Sequence, residues 1–85
     1  MYNREEIQEF ISVHSFYNHK TKKAGPVVLY WRDKSFKVLK IGEHHRVREG
    51  RVLIHIYSVF DGSTYFKLQL DSETQAWKLL EIGTE

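Results

Sequence analysis

Cysteine is absent from this 85-residue chain, and proline and methionine occur once each. Without thiols there is no disulfide framework, no thiolate nucleophile and no cysteine-ligated zinc, and a staple-free chain this small is expected in a reducing cytoplasm. No apolar run approaches the roughly 20 residues needed to span a bilayer. The opening residues, Met1 to Phe10, lack the basic-then-apolar order of a secretory leader, so the chain is read as mature and cytoplasmic. Catalytic signatures are missing too. No nucleophile elbow or glycine-rich phosphate loop surrounds Ser58, Ser63 or Thr64. Asp71 and Glu73 fall in a predicted turn with no apolar pocket to raise a carboxyl pKa. The chain is therefore not expected to be an enzyme or to hold a cofactor.

Five histidines raise the question of a metal. None has ligand spacing, and His44 and His45 are adjacent, so on an extended chain they point to opposite faces. A site built from His14, His55 and a carboxylate would need the fold to gather them, and no metal is expected.

What is present points to β structure. Hydrophobic residues make up 41% of the chain and aromatics 14%, too much apolar material for a disordered segment. At this length one domain, residues 1–85, is expected, burying only about 60–65% of its unfolded surface. Val27 to Arg32 and Ser35 to Ile41 read as strands joined by a short turn at Asp33-Lys34. Asn18 to Gly25 reads as a loop, with the next strand starting after Pro26 and not running through it. Residues 43–51 read as a longer loop or frayed hairpin. Val52 to Phe60 and Thr64 to Leu70 form a hairpin around Asp61-Gly62-Ser63, and Ala76 to Ile82 closes the set. Near residues 4–8, Asn3 and Glu6 fit a capping box, predicting a short helical turn before a strand from Phe10 to Tyr17; a single helix is the alternative.

Short connections require antiparallel neighbours. The expected fold is mainly β: one small antiparallel sheet of five or six strands, strongly curled or barrel-like. Its predicted core is Ile11, Val13, Val28, Tyr30, Val38, Ile54, Ile56, Phe66, Leu68, Leu70, Trp77 and Leu79, with Phe36 and Phe60 added.

Net charge is only +2, but it is unevenly spread: −2 over residues 1–19, +7 over 20–51 and −3 over 52–85. Such asymmetry suits an anionic partner. Read outward from the core, Tyr57, Tyr65 and Lys67 should be neighbours on the solvent face, with Lys37, Lys40, Arg46, Arg48 and Arg51 extending a basic track. Rings interleaved with cations can stack on bases and neutralise phosphates. Tyr and Lys are also ordinary on exposed sheet surfaces, where Lys guards edges.

Three stretches carry a resemblance: P-V-V-L-Y-W-R-D-K-S-F-K-V from Pro26, I-Y-S-V-F-D-G-S-T-Y-F-K-L-Q-L-D from Ile56, and A-W-K-L-L-E-I from Ala76. Together they resemble a family of small uncharacterised bacterial β-rich domains. These occur alone or at the C-terminal end of polymerase-like accessory proteins of DNA damage tolerance. The resemblance implies a β module in a DNA-repair setting and no catalytic residue. The chain departs from the pattern at His44-His45, where a Trp is common, and over its first twenty-five residues.

The function expected is a non-enzymatic interaction module that docks on a protein partner. A nucleic-acid-binding domain using the basic, aromatic face is the alternative. A homodimer through an exposed sheet edge is compatible with either.

Overall fold

Every ladder in the computed structural model, which describes residues 3–84, is antiparallel, as the short hairpin connections require, and it shows seven strands. They are β1 (Asn3–Asn18), β2 (Lys23–Trp31), β3 (Lys34–Lys37), β4 (Lys40–Glu49), β5 (Val52–Phe60), β6 (Thr64–Asp71) and β7 (Trp77–Thr84). They form one sheet in the order β3-β2-β1-β7-β6-β5-β4. Among the described residues there is no helix, and so none long and apolar enough to cross a membrane.

Strand β1 organises the sheet. Its first part pairs with β7, from Asn3 opposite Thr84 to Ile11 opposite Trp77, and its second part pairs with β2, from Ser12 opposite Tyr30 to Asn18 opposite Lys23. Sixteen extended residues reach about 50 Å at ~3.3 Å each, yet the longest dimension of the molecule is 36 Å. The strand therefore bends, and its register breaks at Glu6/Glu9 and His14/Ser15. At the first break Gln8 has φ of +58°, the mark of a bulge and incompatible with a helical turn. The helical turn expected at residues 4–8 is thus a bulged strand, because a distant partner, β7, supplies the hydrogen bonds a helix would have made locally.

Turn chemistry recurs. Asn18, Asp61 and Asp71 each turn Oδ1 back to accept two backbone N–H groups: those of Lys20 and Thr21, Ser63 and Thr64, and Glu73 and Thr74. Gly62, at φ +113°, occupies the turn predicted for it. The β2–β3 turn sits at Arg32-Asp33, one residue earlier than expected, with φ of +50° and +62°, the sign pattern of a type I′ turn. Glu9 holds this hairpin against β1: Oε1 accepts from Trp31 Nε1 at 3.1 Å, and Oε2 pairs with Arg32 at 2.8 Å. Those two donors, Arg32 first, hold the Glu9 carboxyl below the usual carboxylate range.

The core joins β2, β5, β6 and β7: Leu29, Tyr57, Val59, Phe66, Leu68, Trp77 and Leu79 are buried together. Each such side chain contributes about 1.5–3 kcal/mol by leaving water. Ile7, Ile11, Val13, Trp31, Phe36, Val38, Ile41, Leu70 and Ile82 pack against them. Phe36 meets Phe66 across the sheet at 5.0 Å between ring centroids.

Several expectations need correction. Seven strands replace five or six. The sheet is neither closed nor curled strongly enough to pair its outer strands. The chain steps from β3 to β4 through Val38, whose N–H bonds to Val27, and Leu39, whose N–H bonds to Phe60, and the two outer strands share no ladder. Ser35 to Ile41 is accordingly two strands, and residues 43–51 are largely the paired strand β4 with a tight turn. Strand β2 runs through Pro26, which a register break beside Ser15 accommodates without an N–H. Tyr30 is 43% exposed, and Val28 and Ile56 face away from the central cluster. Ile54 is buried but outside that cluster, and Phe60 stacks on Tyr65 at 4.5 Å.

Candidate functional site

The β4–β5 hairpin turns at Gly50, whose φ of +62° suits a residue without Cβ. Its register puts His44 opposite Tyr57, Arg46 opposite His55 and Arg48 opposite Leu53. Directly opposed residues share a face, so these six lie on the side of the core. Glu43, His45, Val47 and Glu49 lie on the other side, opposite Ser58, Ile56, Ile54 and Val52. The register break between Ile41 and Glu43 leaves Gly42 as the extra residue that sets this parity.

The inner row combines a stack of rings, His44, His55 and Tyr57, with the cations Arg46 and Arg48 on the same face. The His44 ring lies 4.3 Å from the Tyr57 ring at 5°, and Tyr57 meets Trp77 at 5.6 Å. His44 Nε2 and His55 Nδ1 are 2.8 Å apart. One ring must donate a proton and the other accept it, so the pair cannot hold this bond with both imidazoles protonated. Burial first, and then the positive charges of His55, Arg46 and His45, hold the His44 pKa below its ordinary value. Burial raises that of the Tyr57 phenol.

The expected site divides between two faces. Tyr57 is only 4% exposed and belongs to the core. Tyr65 (37% exposed) and Lys67 lie on the opposite face, with Lys67 between Ser58 and Glu81, so the three do not form one surface. Lys37 ends β3 opposite Val28, Lys40 begins β4 opposite Phe60, and Arg51 lies in the β4–β5 turn. What the fold brings together is Arg46 and Arg48 with His44 and His55. The histidines were missed as a pair because they belong to different strands; only the β4–β5 register, set by the Gly50 turn, shows their proximity.

No ion pair reaches His44, Arg46 or Arg48 among the described residues. Glu43 is turned to the other face, where it meets His45 at 2.7 Å. His14 stands on β1 beside Tyr30, away from His55, and no three His, Cys, Asp or Glu side chains cluster as metal ligands among the described residues. Strand β4 is also outermost, and every residue of it except Ile41 is exposed.

Comparison with known proteins returns nothing: no protein family, no curated protein and no solved structure matches the chain.

Proposed function

We propose that the chain is a non-enzymatic interaction module that accepts an extended segment of a protein partner by strand addition to β4. The observation that carries this reading is the exposed ten-residue outer strand β4, which has a sheet neighbour on one side only. Along such an edge alternate residues turn N–H and C=O outward, ready to bond a further strand. Each bond made is worth about 0.5–1.5 kcal/mol net, so several in register give useful affinity. The opposite outer strand, β3, has four residues and offers much less. The reading keeps the chain in the cytoplasm, and the resemblance of its hairpins nominates DNA-damage-tolerance accessory proteins as a place to look for the partner.

Titrating isotope-labelled chain with short alternating peptides, one Thr-Val and one Thr-Glu, tests the proposal. Shift changes and new exchange protection should concentrate on residues 40–49. A response centred instead on Phe10 and Tyr30, the exposed rings of the opposite face, would overturn it.

A further inference from the structure

We infer that the β4 edge selects an extended acidic segment, with carboxylates at alternate positions, over a second copy of this chain. The inference rests on the strand-addition reading and adds the partner's chemistry. His44, Arg46 and Arg48 project from one face of β4 at every second residue, a spacing of roughly 6.6 Å. An added strand places its own alternate side chains directly opposite them. The row lacks a countercharge among the described residues, since the β4 carboxylates, Glu43 and Glu49, point to the other face. Carboxylates two residues apart on an incoming strand supply what the fold leaves out.

The same periodicity disfavours self-pairing. Two copies joined antiparallel through β4 must keep like faces together. Registers centred on Arg46, Val47 or Arg48 do so by setting arginine against arginine: Arg46 on Arg46, Arg46 on Arg48, or Arg48 on Arg48. Like charges directly opposite are destabilising. A nucleic acid would use the same cations but needs rings on which bases can stack. Tyr57 and Trp77 are buried and Phe10, Tyr30 and Tyr65, exposed to 73%, 43% and 37%, lie on the other face, so Phe16, 43% exposed beside Gly25, is a single ring where a run of bases needs several.

The test measures fluorescence anisotropy of the whole chain with labelled alternating peptides: Thr-Glu, Thr-Val, Thr-Lys, and Thr-Glu methylated on alternate backbone nitrogens, one version for each parity. The inference expects Thr-Glu to bind tightest. Arg46→Gln with Arg48→Gln should weaken it by about fivefold, as two exposed ion pairs imply, and leave Thr-Val unchanged. Equal binding of Thr-Glu, Thr-Val and Thr-Lys overturns the acidic preference while leaving strand addition standing. Full affinity of both methylated peptides overturns strand addition itself, and absence of binding by every peptide overturns both. An oligothymidylate that binds tighter than Thr-Glu, or a dimer in sedimentation that Arg46→Glu strengthens, would replace the acidic partner with a nucleic acid or a second copy.

Discussion

At the scale of single residues, Gly25 has less room for a side chain than Gly42, Gly50 or Gly62. A Cβ built there would lie 2.7 Å from Ile41 Cδ1, 3.5 Å from Phe16 and 3.9 Å from Tyr57. Only the Ile41 methyl must yield, so Gly25→Ala should cost on the order of 1 kcal/mol. Valine lacks that methyl, and in an Ile41→Val background the cost should nearly vanish. A double-mutant cycle by urea denaturation checks this, and purely additive costs would mean that Gly25 is constrained by something else. The conflict was not legible in the sequence, because it joins β2 to β4, which four other strands separate in the sheet. Tyr57 shows the same limit. In V-L-I-H-I-Y-S-V-F nearly every position is apolar, so alternation alone cannot say which parity faces inward. Ile54 is buried as expected, but carrying its parity on to Ile56 turned Tyr57 outward, whereas the fold puts Tyr57 and Val59 inside. In β2, V-V-L-Y-W is ambiguous in the same way, and Leu29 is buried while Tyr30 is not.

At the scale of elements, hairpins with explicit polar alternation were read correctly. T-Y-F-K-L-Q-L alternates apolar with polar, and Phe66 and Leu68 are buried as predicted, with Leu70 packed against them. The Asp61-Gly62-Ser63 turn also stands where its chemistry put it. Bulges defeat local reading, since one extra residue reverses every later face, as Gly42 does in β4. The Arg32-Asp33 turn suggests a measurable gain. Both residues hold positive φ, which costs a side-chain-bearing residue roughly 1–2 kcal/mol, while glycine accepts it at a smaller entropic cost. Asp33→Gly should therefore stabilise the protein by about 0.5–1 kcal/mol, raising Tm by a few degrees. Differential scanning calorimetry would show it, and a lowered Tm would mean that the Asp33 side chain itself matters.

At the scale of the whole molecule, three groups with displaced pKa values shape stability against pH. His44 resists protonation in the fold, so the unfolded chain binds that proton first as pH falls below about 6.5, and stability drops through the folded-state pKa. Glu9, held low chiefly by Arg32, adds a second loss below about pH 4.3. Tyr57, held high by burial, favours its neutral form, so stability is lost as pH rises above about 10. Thermal unfolding across pH should show a plateau between the histidine and tyrosine limbs. His44→Gln should flatten the first acid step and leave the later one. An unchanged slope from pH 6.5 downward would assign that step to other groups.

The long shared strand has a consequence for how the chain comes together. Residues 3–11 find their ladder partner in Trp77–Thr84, so the earliest described segment waits for the latest. During synthesis that half of β1 stays unmatched until β7 has left the ribosome, and closing so large a loop is what makes such topologies slow to fold. The nascent molecule thus reaches its structure in a late, concerted step, with the amphipathic flank of β1 in need of shelter until then.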